Sequence, residues 1–276
     1  MFEIKKKEVM AEGTIFRLDI EAPEIAKSAK AGQFVILMPN EKGERIPITI
    51  SEANPENGII TVFIQMVGKT SALLGSLEEG DAIDSVTGPL GNPAEIEKLG
   101  TILLVGGGTG IAILRNIAKA FKEKGNHLVG IIGARDKDLL ILEQEMRYLC
   151  DELIITTDNG SYGEKGFVTQ PMERYINEHP DEVKLVYAIG PIIMMKNVTI
   201  ITKKYNIKTM VSLNPIMVDG TGMCGACRVS IGGETKFCCV DGPDFDGHLV
   251  DFDELQKRNM SYLKEEKISL LHSIRK

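Results

Sequence analysis

Four of the five cysteines crowd into sixteen residues near the end of the chain, and their spacing suggests metal chemistry. Asp219, Cys224, Cys227 and Cys239 follow one another with four, two and eleven residues between them. A plant-type [2Fe–2S] loop has the pattern C-x4-C-x2-C and then a distant Cys, so Asp219 stands where the first Cys would be. Glycines in this stretch permit the positive φ angles that let backbone N–H groups approach a cluster. We therefore predict these four residues as ligands of a [2Fe–2S] cluster.

Cys238 is the one cysteine of the group that we leave out of the ligand set. It adjoins Cys239, and neighbouring side chains of a strand point to opposite faces, so only one of the two easily reaches the same cluster. Cys239 is favoured because a turn of Val240-Asp241-Gly242-Pro243 follows it directly. A zinc ribbon and inert buried thiols are the alternatives, although zinc normally takes two well-separated ligand pairs. A carboxylate is a harder donor than a thiolate, so Asp219 should alter the cluster potential.

A second motif, a glycine loop, follows the apolar stretch Thr101–Val105 and precedes a predicted helix. Its residues 106–110 read G-G-G-T-G, and a diphosphate can rest on the free N–H groups where such a helix begins. Ile111 stands where the strict G-x-G-x-x-G fingerprint has its third glycine. The alternative is a structural one, in which the glycines only allow a tight turn between strand and helix.

Three further residues follow predicted strands, and we expect them beside the glycine loop at the carboxyl edge of a parallel sheet. Arg135 ends the second strand, where an acidic residue would hold a ribose hydroxyl, so NAD and NADP both stay open. Asp158 and Gly190 follow later strands, at the carboxyl edge where doubly wound sheets bind ligands. Either turn could equally be an ordinary loop.

The first part of the chain offers weaker signals for a phosphate. Arg45 precedes Pro47 and Thr49, and a guanidinium suits a bidentate phosphate contact, although an edge strand with a surface arginine has the same composition. The run Gly68-Lys69-Thr70 opens a short helix, whose start could hold another part of a diphosphate.

The spacing of apolar runs predicts the elements that must position these residues. Six short strands between residues 2 and 87, separated by Gly, Pro and Asn, predict a closed antiparallel β-barrel, and residues 88–93 read as a linker of turn residues. Strands alternating with helices after Gly100 predict a doubly wound α/β domain. A charged helix is expected from Phe252 to the carboxyl terminus. The predicted domains are residues 1–97, 98–210 and 211–276.

Composition excludes several functions. The 276 residues carry 32 basic and 39 acidic side chains, a net charge of -7, which disfavours a nucleic-acid partner. No stretch approaches the length of about 20 apolar residues that a membrane span needs. Clustered thiols and the lack of an export signal at the amino terminus lead us to expect a cytoplasmic protein.

Taken together, these motifs identify a resemblance to ferredoxin-reductase-like flavoproteins. The combination of R-x-P-x-T, G-K-T, G-G-G-T-G, D-G-T-G-M-C-G-A-C-R-V and C-V-D-G-P covers the whole chain. It is similar to the small subunits of NADH-dependent ferredoxin:NADP+ oxidoreductases and, less closely, to the electron-transfer subunits of dihydroorotate dehydrogenase, where a fourth Cys would be expected instead of Asp219.

The resemblance implies three cofactors, FAD in the barrel, NAD(H) on the α/β domain with NADP(H) not excluded, and a [2Fe–2S] cluster on the terminal segment. It implies that Thr49 acts near flavin N5 and that the partner is a larger flavin and iron–sulfur subunit, with ferredoxin reached indirectly. The implied FAD residues are Arg45, Pro47, Ile48, Thr49, Phe63, Ile64, Gln65, Gly68, Lys69 and Thr70. The implied nucleotide residues are Gly107, Gly108, Thr109, Gly110, Arg135, Asp158 and Gly190.

The predicted function is an electron-transfer subunit of an electron-bifurcating ferredoxin:NADP+ oxidoreductase. Nicotinamide exchanges two electrons as a hydride and an iron–sulfur cluster exchanges one, whereas a flavin does both. The alternatives are a dihydroorotate dehydrogenase electron-transfer subunit, a free-standing NAD(P)H reductase of the same fold, and a zinc-binding regulator that senses nucleotide redox state.

Overall fold

The chain is divided between two compact units, each assembled from separate stretches. The structure, a computed structural model, describes residues 1–274. Unit 1 comprises Met1–Pro93, Asn214–Pro243 and the residues from Asp253 onward, and unit 2 comprises Ala94–Leu213 and Asp244–Phe252. The three contiguous domains expected from the sequence, residues 1–97, 98–210 and 211–276, remain a prediction. Residues 275 and 276 of the expected terminal helix lie outside the described residues.

A nearly closed antiparallel barrel of seven strands forms the larger part of unit 1. The strands are β1 (Phe2–Met10), β2 (Ile15–Glu21), β3 (Phe34–Met38), β4 (Ile46–Asn54), β5 (Ile59–Gln65), β6 (Ala82–Ile83) and β7 (Ser85–Leu90). They are hydrogen-bonded in the order β6-β1-β2-β5-β4-β3-β7. Alternate apolar residues such as Leu18, Ile20, Ile60 and Val62 fill the core. The predicted barrel is confirmed.

Two short helices and one extended strand of unit 1 differ from expectation. The helices are α1 (Pro23–Ser28), which was not predicted, and α2 (Lys69–Gly75), which begins two residues before the helix predicted over Ser71–Leu77. The Ser71 hydroxyl accepts hydrogen bonds from the N–H groups of Val67 and Gly68 and so fixes this start. The expected linker was wrong at residues 88–90, because β7 continues to Leu90 and pairs with Phe34.

Unit 2 is built on a seven-stranded sheet that is parallel except at one edge. Its strands are β8 (Thr101–Gly107), β9 (His127–Ala134), β10 (Glu152–Thr157), β11 (Glu164–Lys165), β12 (Val183–Ile189), β13 (Thr209–Ser212) and β16 (Asp244–Asp246). Their order is β11-β10-β9-β8-β12-β13-β16, with β16 antiparallel to β13. The helices are α3 (Gly110–Glu123), α4 (Glu143–Leu149), α5 (Thr169–Glu178) and α6 (Ile192–Lys204). The order reverses between β8 and β12, which confirms a doubly wound sheet with its switch point there.

The cysteine-rich segment belongs to unit 1. It contains a hairpin of β14 (Arg228–Ile231) and β15 (Glu234–Phe237), followed by the short helix α7 (Cys238–Asp241). Cys238 and Cys239 therefore begin a helix, and the expectation that they lie in a strand was wrong. Neighbouring side chains still diverge, because a helix turns by about 100° per residue.

The expectation of a single terminal helix was wrong, since the structure has two helices there, α8 (Phe252–Asn259) and α9 (Leu263–Ile274). The Asn259 side chain donates to the carbonyl of Asn214, and α8 ends at that contact. Short 3₁₀ helices at Ala11–Gly13, Lys137–Leu139 and Gly247–Leu249 complete the described elements. Within residues 1–274, none of the helices combines the length and apolar character that crossing a membrane requires.

Candidate functional site

The predicted cluster ligands form two pairs around residues 218–227, which we call the cluster loop. The sulfurs of Cys227 and Cys239 lie 3.2 Å apart, and both residues are buried. The other pair is Asp219 and Cys224, in which the Asp219 Oδ2 accepts a hydrogen bond of 3.2 Å from the Cys224 N–H. Cys224 is exposed. One pair is thus enclosed by protein, and the other faces the surface.

The pKa values of the two pairs are shifted in opposite directions, because hydrogen bonding lowers that of Asp219 and burial raises that of Cys239. Hydrogen bonding from the Thr221 side chain, followed by that from Cys224, lowers the pKa of Asp219 to about 2, so its carboxylate is ionised. Burial, followed by the contact with Cys227, raises the pKa of Cys239 to about 12. A bound metal ion would overcome that shift, because a coordinating thiol is deprotonated outright.

The paired arrangement fits a binuclear cluster better than a single zinc ion. A [2Fe–2S] cluster takes two protein ligands at each of two irons, so it suits two separate pairs. Two thiolates on one tetrahedral metal are about 3.8 Å apart for metal–sulfur bonds of about 2.3 Å. The buried cysteine pair needs only a small separation to reach that distance.

Close packing against the barrel fixes the cluster loop in place. Gly220 has φ +83, and a Cβ atom there would lie 2.8 Å from the Leu90 side chain and 3.1 Å from Ile36. On the other side of the ligand set, Asn92 donates from its side chain to the Val240 carbonyl and from its backbone to the Gly242 carbonyl. The strand end at Leu90 to Asn92, which the sequence predicted as a linker, therefore supports both ends of the cysteine segment.

The barrel opens between β4 and β5 at the residues predicted to hold the flavin. In the described chain, β4 pairs with β3 over Ile46–Thr49 and with β5 only over Ile50–Asn54. The side chains of Ile46 and Ile48 pack against the barrel core, so those of Pro47 and Thr49 lie on the opposite face. The two strands thus separate where a flat ring would need the backbone of residues 47–49.

On β5 and α2 the predicted flavin residues have different environments. Ile64 is a fully buried core residue, so Phe63 and Gln65 face the other side of the strand, and Ile48 and Ile64 can offer only backbone. The Thr70 hydroxyl is buried and accepts from the Glu44 N–H at 2.9 Å, which ties the start of α2 to the loop before β4. Gly68 and Lys69 begin that helix and are half-buried.

Arg45 does more than the sequence analysis expected. Its Nε donates to the Val218 carbonyl at 2.9 Å, and its Nη2 donates to the Asp219 carbonyl at 3.4 Å. These two contacts use only part of a guanidinium that carries five N–H groups. The residue predicted for a flavin phosphate therefore also touches the loop that carries the predicted cluster ligands.

In unit 2 the predicted nucleotide residues gather at the switch point of the sheet. A Cβ atom on Gly110 would lie 2.3 Å from the Ile189 carbonyl oxygen, so only glycine lets the start of α3 approach the end of β12 next to Gly190. Gly107 is buried at the end of β8, and Thr109 precedes α3. The Gly108 N–H donates to the Gly133 carbonyl, so this amide already has a partner.

Arg135 and Asp158 lie on adjoining loops of the same edge. The Asp158 N–H donates to the Ala134 carbonyl, and the Asn159 N–H donates to the Arg135 carbonyl. Both side chains are exposed, as ligand-binding side chains at a strand end would be.

Sequence reasoning missed the residues that support the cluster loop from outside it. Arg258 on α8 donates from Nη2 to the Ala226 carbonyl at 3.1 Å, thirty-two residues away along the chain. Asn92 makes the contacts described above. Neither belongs to a motif, so the sequence carries no signal for them beyond an arginine in a charged helix and an asparagine in a turn.

Two family models match the chain. The model described as the iron–sulfur cluster binding domain of dihydroorotate dehydrogenase B matches residues 214–251, and the oxidoreductase NAD-binding domain matches residues 104–199. The first range contains all four predicted cluster ligands, and the second contains the glycine loop, Arg135, Asp158 and Gly190.

Similar proteins cover almost the whole chain. A Thermotoga maritima homolog of the dihydroorotate dehydrogenase B (NAD(+)) electron transfer subunit is 50% identical over 97% of this chain and 93% of its own length. The corresponding Streptococcus pneumoniae R6 subunit is 34% identical over 84% of this chain and 90% of its own.

Solved structures show the same architecture. A chain from the NADH-dependent reduced ferredoxin-NADP oxidoreductase, a structure that gave insights into flavin-based electron bifurcation, matches with a TM-score of 0.94 and 47% identity, over 99% of this chain and 98% of that one. Plasmodium falciparum ferredoxin-NADP+ reductase matches with a TM-score of 0.62 and 15% identity over 76% and 95% of the two chains, and this likeness concerns the fold alone.

Proposed function

The chain belongs to the family of dihydroorotate dehydrogenase B electron transfer subunits, and on that premise we propose that it is the NAD-side electron-transfer flavoprotein subunit of a ferredoxin:NADP+ oxidoreductase of the electron-bifurcating type. The family membership confirms the resemblance seen in the motifs. The Thermotoga maritima homolog of the dihydroorotate dehydrogenase subunit is 50% identical over 97% of this chain. The Streptococcus pneumoniae subunit of that enzyme is only 34% identical over 84%, whereas the chain from the ferredoxin-NADP oxidoreductase structure is 47% identical over 99%. The Asp at position 219, where the second family would have Cys, favours the same choice.

The arrangement of the cluster ligands is the observation that carries this proposal. The enclosed pair, Cys227 and Cys239, and the surface pair, Asp219 and Cys224, provide two ligands for each iron of a [2Fe–2S] cluster. Both pairs lie in the unit that also contains the barrel. A flavoprotein with an iron–sulfur centre of its own can deliver single electrons to a larger partner subunit, and through that partner to ferredoxin.

The residues of the barrel and of the sheet would hold the other two cofactors. When bound, FAD supplies the step between the hydride of NAD(H) and the single electrons of the cluster. Arg45 and Thr70 would bind the pyrophosphate, and Thr49 would hydrogen-bond near N5 from β4. The remaining flavin residues are Pro47, Ile48, Phe63, Ile64, Gln65, Gly68 and Lys69.

The nucleotide would lie at the switch point of the sheet in unit 2. Backbone N–H groups at the start of α3 favour a diphosphate there, because the positive end of the helix dipole is close. The residues proposed for this site are Gly107, Gly108, Thr109, Gly110, Arg135, Asp158 and Gly190.

Domain boundaries and location complete the proposal. The domains are a flavin barrel (1–97), a nucleotide domain (98–210) and a cluster segment with terminal helices (211–276). We place the protein in the cytoplasm because reducing conditions keep four clustered cysteines available as ligands, whereas an oxidising compartment would favour disulfides.

Replacement of one cysteine at a time tests the ligand set. The protein is purified without oxygen, and iron, acid-labile sulfide and flavin are quantified in the wild type, Cys239→Ala and Cys238→Ala. We expect Cys239→Ala to lose the cluster and retain FAD, because the flavin residues lie on the barrel. Cys238 is the matched control, since it is equally buried and adjacent. Loss of iron from Cys238→Ala with retention in Cys239→Ala would contradict the assignment, as would wild-type protein without iron or flavin.

The partner is tested in the native complex. We expect the chain to co-purify with a larger flavin and iron–sulfur subunit, and the complex to reduce NADP+ from NADH and reduced ferredoxin. Oxidation of dihydroorotate by that complex would instead support the second branch of the family, and a chain that purifies alone and active would support a free-standing reductase.

A further inference from the structure

Three arginines donate to main-chain carbonyls of the cluster loop. Arg45, which precedes β4, contacts the carbonyls of Val218 and Asp219. Arg258 on α8 contacts the carbonyl of Ala226, and Arg228 contacts that of Gly225 from three residues away. The carbonyls concerned adjoin or belong to predicted ligands at the two ends of the loop. Side chains far apart in the chain thus hold the backbone around the same centre.

Arg258 has a buried guanidinium nitrogen. This buried atom, its Nε, has no hydrogen-bond partner among the described residues. A buried guanidinium N–H without a partner costs stability, so its retention needs an explanation. Its Nη2 donates to the carbonyl of Ala226, which directly precedes the predicted ligand Cys227.

The electrostatic consequence has a definite sign. Reduction adds one negative charge to an iron–sulfur cluster, and a nearby positive charge stabilises the reduced form. The effect is larger where the charge is enclosed by protein than where water and salt screen it. Arg228 is exposed, whereas Arg45 and Arg258 are half-buried. The two half-buried arginines should therefore have more influence than the exposed one.

We propose that Arg45 and Arg258 are positioning residues that hold the two ends of the cluster loop and raise the reduction potential of the cluster. This inference rests on the proposed function, since it requires the cluster at Asp219, Cys224, Cys227 and Cys239. It assigns Arg45 a role besides binding FAD and gives Arg258 a role that no motif in the sequence indicates. Leu90 packs against the loop at Gly220, and Asn92 hydrogen-bonds to the carbonyls of Val240 and Gly242. Both side chains are uncharged, so they affect geometry alone.

The test separates charge from geometry. Arg258→Gln removes the charge, Arg258→Lys keeps it without the planar fork, and Arg228→Gln is the matched control with an exposed arginine of the same loop. Arg45→Gln and Arg45→Lys are measured with saturating FAD, because this residue is also proposed to bind the flavin. The readouts are the midpoint potential of the cluster, followed by its EPR signal in a redox titration, and the rate of iron loss to a chelator.

We expect Arg258→Gln and Arg45→Gln to shift the potential to more negative values and Arg228→Gln to shift it least. Arg258→Lys should recover at least half of the shift seen in Arg258→Gln. Iron loss should become faster by about 10-fold in Arg258→Gln, the lower end of what the loss of residues that hold metal ligands costs in metal affinity. If Arg258→Gln does not fold, the potential of the Arg45 pair decides in its place.

Three results would overturn the inference. The first is an unchanged midpoint potential in Arg258→Gln and Arg45→Gln. The second is an equal shift of the potential in Arg228→Gln, and the third is a potential in Arg258→Lys as low as that in Arg258→Gln. Wild-type protein without iron would instead overturn the proposed function itself, and with it this inference, so the two failures are distinguished by the iron content of the wild type.

Discussion

Asp244 should make unit 2 less stable as the pH rises, and its replacement by Asn should remove that dependence. Its carboxyl Oδ1 is buried, and the Tyr187 hydroxyl donates to Oδ2. Burial raises the pKa of Asp244 from the ordinary 3.8 to about 6, although hydrogen bonds from Tyr187 and Ser212 favour the ionised form. The folded state therefore keeps its proton over a pH range in which the unfolded state has released it.

The sign and size follow from proton linkage. Unfolding releases a proton from Asp244 between its two pKa values, so the free energy of unfolding falls as the pH rises through that range. The full effect is about 3 kcal/mol, and about 1.4 kcal/mol of it falls between pH values of about 5 and 8. Asp244→Asn has no such titration and should gain about that amount relative to the wild type across this interval.

Urea unfolding followed by circular dichroism measures the effect at the two pH values. Asp138→Asn is the control, because Asp138 is an exposed carboxylate of the same unit. A difference in unfolding free energy between Asp244→Asn and the wild type that is the same at both pH values would refute the reasoning.

Three further predictions concern stability and binding. Asn126→Ala should lower the free energy of unfolding by about 2–4 kcal/mol. The reason is that its buried side chain accepts from the N–H groups of residues 99 and 100 and donates to the carbonyls of residues 97 and 121. A smaller loss in urea unfolding would show that these bonds contribute little. Gly110→Ala should weaken NADH binding and destabilise unit 2, since the new Cβ would lie 2.3 Å from the Ile189 oxygen, and an unchanged NADH titration would contradict this. Thr70→Val should lower the melting temperature by a few degrees through loss of the acceptor for the Glu44 N–H, which corresponds to about 1 kcal/mol, whereas Lys69→Ala at the same helix start serves as its control.

The sequence predicted the two sheets because their strands are regular. Apolar runs separated by turn residues are local signals, and they located β1 to β5 and the parallel strands β8, β9, β10 and β12 within a few residues. The parallel strands β11 and β13 were missed. The error at Gly88 to Leu90 has a physical cause. β7 has a neighbour only on its β3 side, and its register with β3 is irregular over these residues, so Pro89 is tolerated where a central strand would exclude it.

The candidate site was predictable only where local patterns of residue type and spacing indicate a function. The cysteine spacing and the glycine loop are such patterns, and they led directly to residues 219–239 and 106–110. The contacts of Arg45 and Arg258 join residues 173 and 32 positions apart, and no local pattern encodes them. The break after Asn259 depends on the contact with Asn214, which is again a tertiary effect that overrides helix propensity.

The last strand of the parallel sheet, β16, is supplied only after the chain has completed the cysteine segment. During synthesis, the edge of β13 therefore stays bare until residues 244–246 have been made, and an open strand edge is a template for pairing with other chains. A fragment ended at Leu213 would keep that bare edge permanently, so it should aggregate more readily than the complete chain. Unit 2 thus reaches its finished form late, when the cluster ligands are already in the polypeptide.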